Sequence, residues 1–155
     1  TDFADFDELI YQSVVIKNEI VTIDPTEKNI RKSLNFGHTL GHAIESYFLE
    51  NKNKTTLLHG EAIAVGMILE SYISYNKKLI TETEYLEIKT TIKAIFDEIV
   101  FAENDIDPIL EFLVHDKKNE YGTVQFALIE GIGKTKINQS VENELILEAF
   151  NDYKS

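Results

Sequence analysis

The sequence predicts a mostly α fold, a helical bundle that carries one small β-hairpin. Three observations predict it. Only 2 prolines and 7 glycines occur in 155 residues, too few turn formers for a strand-and-turn protein. Apolar residues recur at helical spacing through most of the chain. A single short segment alternates loosely instead, and a Gly-Ile-Gly turn follows it.

The elements follow in order. Phe6, Leu9, Ile10, Val14 and Ile20 or Val21 give a first helix over about 5–22, stopped by Asp24-Pro25. A second helix is expected from about Arg31 to Leu49, and the polar stretch 51–56 is a loop. A third spans about His59 to Asn76; Gly60, Ala62, Ala64 and Gly66 in its first turns allow another helix to approach closely. Thr81-Glu-Thr-Glu84 is a capping box, in which each end residue satisfies the other's backbone donor, and it opens a fourth helix to about Glu98. Asp107-Pro108 reads as N-cap and first-turn residue of a short helix to about Val114. The alternating segment 123–129, the turn at Gly131 and Gly133, and the return at 134–137 form the hairpin. Ser140 is the expected cap of a last helix to about Asp152. These helices are amphipathic and numerous enough to share one core.

Composition narrows the function. A chain of this length is the size of one domain. With 15 basic and 27 acidic residues the net charge is −12, which repels a phosphate backbone and disfavours nucleic acid, while a few local cations can still hold a small anion. No apolar run approaches the ~20 residues of a membrane span. The acidic opening is unlike a secretory signal, and cysteine is absent, so disulfide frameworks and thiolate metal sites are excluded. A cytoplasmic protein is the expectation.

Histidine concentrates the chemistry. Three of 4 histidines, His38, His42 and His59, fall within one short stretch. On a continuous helix from Arg31, with about 100° per residue, Arg31, Asn35, His38, His42 and Glu45 share an arc of about 80°. Phe36, Leu40, Ala43 and Tyr47 lie opposite. A solvated face is usually Lys, Glu and Asp; this one holds a guanidinium, an amide and two imidazoles. Gly37 and Gly41 each cost ~1 kcal/mol of helix stability against Ala, which implies a close neighbour. Imidazoles suit Zn²⁺ and similar ions, with three protein ligands and an open position typical of catalytic sites. By spacing alone His38 and His42 could chelate together, with His59 a candidate from the next helix. The stretch from His38 to His42 lacks the internal Glu of a metalloprotease motif, so that class fits poorly.

These residues resemble the 3-dehydroquinate synthase family in its C-terminal domain. The matching pieces run in family order: Lys17, Glu27, Arg31, Leu34-Asn35-Phe-Gly-His38, Gly41-His42, Glu45, His59-Gly-Glu61, Gly66-Met67, Asp116-Lys117-Lys118 and the turn at Gly131 and Gly133. The resemblance implies conversion of a seven-carbon keto-sugar acid phosphate (DAHP) to 3-dehydroquinate and phosphate, the second step of the shikimate pathway. NAD⁺ transiently oxidises a ring hydroxyl, phosphate is eliminated, the ketone is reduced again, and an intramolecular aldol closes the carbocycle.

The resemblance also implies roles. His38 and His59 are metal ligands for Zn²⁺ or Co²⁺, and the third ligand is a Glu from a segment N-terminal to this chain, not Glu61. His42 then is no ligand but assists proton transfer near the substrate phosphate. Asn35 and Lys117, or Lys118, contact the phosphate. Lys17 and Arg31 meet the carboxylate and hydroxyls, and Glu27 orients these cations. His115 carries no assignment. Where the family often has Gly, this chain has Asn29, which tolerates the left-handed conformation.

No Gly-rich dinucleotide turn occurs in the sequence. Residues 1–155 are therefore expected to be the metal- and substrate-binding helical domain. The resemblance implies that NAD is bound mainly by an N-terminal α/β domain, expected to lie outside this chain, and that the chain is inactive alone and homodimeric as the full enzyme. Three rivals remain: a sister sugar-phosphate cyclase of the 2-deoxy-scyllo-inosose synthase type, a metal-dependent polyol dehydrogenase, and a non-catalytic helical domain that binds a partner.

Overall fold

A computed structural model describes residues 3–116 and 124–155. The chain divides into two compact units, Thr1–Leu34 and Asn35–Ser155.

The first unit is one long helix, α1 (Phe3–Ile23), and the turn that follows it. Asp24 organises that turn. Its carboxylate accepts the backbone N–H groups of Lys28 (3.1 Å), Asn29 (2.7 Å) and Arg31 (3.1 Å). The left-handed residue here is Glu27 (φ 55°), not Asn29, so the conformation expected of Asn29 falls two residues earlier. The apolar side chains Phe6, Leu9, Ile10 and Val14 are 52–61% exposed. Among the described residues, the buried apolar core begins at Leu40.

The expected helix from Arg31 to Leu49 is broken. A 3-10 segment covers Ile30–Asn35, Gly37 adopts φ 79°, and α2 runs over His38–Glu50. The left-handed step at Gly37 redirects the chain, so Arg31 and Asn35 are not on the α2 helix and the five-residue arc does not exist as drawn. His38, His42 and Glu45 keep their common face, and Leu40, Ala43 and Tyr47 are buried on the other.

The second unit is built around α3 (His59–Asn76), which begins and ends as the sequence predicts. It packs against α2, against α4 (Glu82–Lys93), against α6 (Asn143–Tyr153) and against the first hairpin strand. Helix α5 (Ile106–Asp116) lies against α2 and α6. Leu40, Ile44, Leu69, Ile73, Ile109, Leu128 and Phe150 are fully buried at the centre.

Helices α2 and α3 approach each other closely. A Cβ on Gly66 would strike the Gly37 carbonyl oxygen and lie 2.8 Å from the Gly41 nitrogen. A Cβ on Gly41 would lie 2.7 Å from Ile63 Cδ1 and 3.1 Å from the Ala62 carbonyl oxygen. Gly66 is therefore required by a backbone-to-backbone contact, whereas at Gly41 the Ile63 methyl can swing aside and the Ala62 carbonyl and Ile63 Cα have to give by a few tenths of an ångström. Gly60 is not required, since no atom lies within 4 Å of its would-be Cβ.

Local chemistry sets the remaining boundaries. The Thr81 capping box forms, with the Thr81 N–H donating to Glu84 (2.8 Å) and the Glu84 N–H to the Thr81 hydroxyl (3.3 Å). Helix α4 stops at Lys93, short of Glu98. Asp107 is not the N-cap expected of it but lies in the first turn of α5, and the 3-10 turn before it (Glu103–Asp105) has Ala102 at its N-cap, whose N–H donates to Asp105 at 2.7 Å. The hairpin pairs β1 (Gln125–Ile129) with β2 (Thr135–Ser140) in antiparallel register, Ile129 opposite Thr135 and Gln125 opposite Ser140, with a bulge between Phe126 and Leu128. Ser140 is thus a strand residue, and Glu142 takes the N-cap position of α6.

A polar network fastens the loop before α3. Asp105, 2% exposed, accepts from the Tyr47 hydroxyl (2.7 Å) and from Lys54 (2.5 Å). Burial alone would push the Asp105 carboxyl up, but Lys54, Tyr47 and the Ala102 N–H together hold it below the ordinary carboxylate range.

Candidate metal centre

The α2–α3 contact brings three imidazoles together. His38 and His42 stand one turn apart on α2, and His59 opens α3. Their ring centroids are 5.3 Å (His38–His42), 5.8 Å (His38–His59) and 5.6 Å (His42–His59) apart. One nitrogen from each can be chosen so that all three lie within 4.8 Å of one another. His38 and His42 are half-buried and His59 is exposed, so the cluster opens to solvent on the His59 side.

Two rings have their orientation fixed. The Nδ1 of His38 lies 3.1 Å from the Phe36 carbonyl oxygen. A carbonyl only accepts, so in the neutral ring Nδ1 carries the proton and Nε2 holds the lone pair. The Nδ1 of His59 lies 3.0 Å from Glu45 Oε2, and the same argument leaves Nε2 of His59 as the ligating atom. This donor set fits a divalent ion such as Zn²⁺ or Co²⁺: neutral imidazoles with hydrogen-bonded Nδ1 and presented Nε2.

Two carboxylates near the cluster have other duties. Glu61, on the first turn of α3, accepts the Leu58 N–H at 2.7 Å. Glu70 is fully buried and accepts the backbone N–H groups of Gly37 (2.7 Å) and Leu40 (3.1 Å) at the start of α2.

The other expected site residues distribute as follows. Asn35 ends the 3-10 segment two residues before the Gly37 turn. Lys17, Glu27 and Arg31 belong to the first unit. There the Arg31 guanidinium donates to the Pro25 carbonyl at 3.1 Å and lies 3.7 Å from the Glu27 carboxylate. Lys117 and Lys118 lie outside the described residues.

Three contributors escaped the sequence reading. Glu45 was visible on the histidine face without a role. Glu70 is an acid in the middle of an apolar helix, which is itself a signal of a buried partner. Asp24 was read only as a helix stop.

Comparison with known proteins shows the family of the chain. Residues 1–119 match the family described as 3-dehydroquinate synthase C-terminal. The chain is 40% identical over 154 residues to a 3-dehydroquinate synthase of Parabacteroides distasonis, covering 99% of this chain and 43% of that protein. It is 40% identical over 145 residues to one of Helicobacter pylori, covering 93% of this chain and 41% of that protein. The chain thus spans about two fifths of the length of these curated relatives. A solved 2-deoxy-scyllo-inosose synthase, complexed with carbaglucose-6-phosphate, NAD⁺ and Co²⁺, superposes with TM-score 0.76 at 28% identity, over 96% of this chain and 41% of that one. A 2-epi-5-epi-valiolone synthase from Streptomyces hygroscopicus, with NAD⁺ and Zn²⁺ bound, superposes with TM-score 0.70 at 25% identity, over 88% of this chain and 36% of that one. Among the described residues no helix is long and apolar enough to cross a membrane.

Proposed function

The chain belongs to the 3-dehydroquinate synthase C-terminal family, and on that premise we propose that it supplies the metal- and substrate-binding part of a 3-dehydroquinate synthase. The reaction is conversion of DAHP to 3-dehydroquinate with loss of phosphate. The observation that carries the reading is the three-imidazole cluster, held between α2 and α3 with two rings oriented.

In this reading His38 and His59 hold the ion through Nε2, and a further ligand comes from a part of the protein outside this chain. When bound, the ion and NAD⁺ supply Lewis-acid polarisation of substrate hydroxyls and reversible oxidation of one of them. Oxidation next to the phosphate-bearing position acidifies the adjacent C–H. His42, beside both ligands, moves a proton at the phosphate end as general acid or base. Asn35 and Lys117 bind the phosphate. Arg31 and Lys17 bind the carboxylate and hydroxyls, since a planar guanidinium forks onto oxyanions. Glu27 holds the Arg31 head. The enzyme is cytoplasmic and homodimeric.

A sister sugar-phosphate cyclase is the second reading, favoured by the superposition on 2-deoxy-scyllo-inosose synthase. The higher identity to curated 3-dehydroquinate synthases favours the first. Phosphate release by the full-length protein separates them. Release from DAHP that requires both NAD⁺ and a divalent ion is expected. A folded, metal-loaded protein that leaves DAHP intact and releases phosphate from a hexose phosphate would move the assignment to the sister class.

A further inference from the structure

We infer that Glu70 is a positioning residue for His38, acting through the Phe36–Gly37 peptide unit. The inference rests on the metal-centre reading above.

Glu70 sits on α3 with no exposure to solvent. A carboxylate is buried only at considerable cost unless strong donors meet it. Its Oε1 accepts the Leu40 N–H, a first-turn donor of α2 that has no partner within its own helix. Its charge faces the positive end of the α2 dipole. Its Oε2 accepts the Gly37 N–H at 2.7 Å.

That N–H belongs to the same planar peptide unit as the Phe36 carbonyl. The Phe36 carbonyl oxygen is the group that accepts from His38 Nδ1 at 3.1 Å. A carboxylate and an imidazole thus occupy opposite ends of one peptide. An N–H bonded to an anion polarises its own C=O and strengthens it as an acceptor. The left-handed Gly37 (φ 79°) gives the chain the turn at which this peptide meets α3. The effect is to fix the His38 ring as the Nδ1–H tautomer and to keep Nε2 for the ion. His59 receives the same service directly from Glu45. Each proposed ligand therefore has its own carboxylate, one in contact and one relayed through backbone.

The test uses the intact protein with ¹⁵N-labelled histidine. Long-range ¹H–¹⁵N spectra of the metal-free protein report each ring's tautomer, and a zinc titration reports affinity. Wild type, E70Q, I73V and H38A are compared; Ile73 is fully buried on the same helix, and I73V removes one methylene and no hydrogen bond.

His38 is expected as the Nδ1–H tautomer in wild type. E70Q should convert it to a tautomer mixture and weaken zinc binding about 10–100-fold, with the His59 signals unchanged. I73V should change neither. An Nε2–H tautomer of His38 in wild type would overturn the inference. So would E70Q with wild-type spectra and affinity, or I73V weakening zinc as much as E70Q. If E70Q does not fold, E70D takes its place: the shorter side chain keeps the charge but loses reach, and unchanged His38 signals and affinity in it would equally overturn the inference. H38A that retains full zinc affinity would instead sink the metal-centre reading itself.

Discussion

Gly66→Ala tests the contact on which the histidine cluster depends. Gly66 is interior to α3 and has no unusual φ, so alanine gains ~1 kcal/mol of helix propensity. Against that, the new methyl meets the Gly37 carbonyl and sits 2.8 Å from the Gly41 nitrogen and 3.0 Å from the Gly37 carbonyl carbon. All three are backbone atoms, so no side chain can swing aside. The overpacking cost belongs near the upper end of the usual 1–3 kcal/mol range. Taking about 3 kcal/mol and subtracting about 1 for propensity leaves a net loss of about 2 kcal/mol. For a chain of this size that lowers Tm by about 4–8 °C. The second consequence is functional. Relief requires α2 to move from α3, and metal sites tolerate distance changes of only about 0.2 Å. His38 and His42 ride on one helix and His59 on the other, so zinc affinity should fall together with stability. Thermal unfolding and isothermal titration with zinc measure the two. A Gly66→Ala protein with unchanged or raised Tm and wild-type zinc affinity would refute the claim that this contact spaces the imidazoles.

Other substitutions and conditions probe the remaining interactions. Glu45→Ala should weaken zinc binding about 10–100-fold with little change in Tm, because it removes the partner of His59 Nδ1 and nothing from the core; an unchanged affinity would mean that Glu45 does not orient the ring. Asp105→Asn breaks a buried pair with Lys54 and should cost about 3 kcal/mol in urea unfolding; a midpoint equal to wild type would show the network to be ornamental. Asp24 is pushed up by burial but held below its ordinary value by the Asn29, Lys28 and Arg31 N–H groups and the Arg31 charge. Its folded pKa is therefore depressed, so its stabilisation is present above the ordinary value near 3.8 and is lost as pH falls through the lower, folded value. Backbone amide exchange of Lys28, Asn29 and Arg31 should stay slow at pH 4 and quicken only in stronger acid. Loss of their protection near pH 5 would contradict the assignment.

What was legible in the sequence follows from where the information lies. Helix α3 was read to both ends because a polar loop precedes it and its turn chemistry is local. The Thr81 box was legible for the same reason. The break at Gly37 was not, because it depends on Glu70, 33 residues away, accepting the Gly37 N–H. A helical wheel assumes continuity, so it carried Arg31 and Asn35 onto a helix they do not join. The histidine cluster survived that error, since His38 and His42 lie wholly within α2. The Ser140 cap failed because the bulged hairpin runs longer than the alternation suggested, with Asn138 left-handed (φ 57°) inside β2. The exposure of the apolar residues on α1 could not be read at all: periodicity marks an apolar face but does not say what covers it.

The central claim is that His38 and His59 hold a divalent ion while His42, equally close, does chemistry. Geometry alone would admit all three as ligands. Zinc content of the full-length protein after exhaustive dialysis, compared for H38A, H42A and H59A, decides between them. The account predicts that H38A and H59A lose the ion, whereas H42A keeps one zinc per chain and loses phosphate release from DAHP. An H42A protein as zinc-depleted as the other two would contradict it and make all three imidazoles ligands.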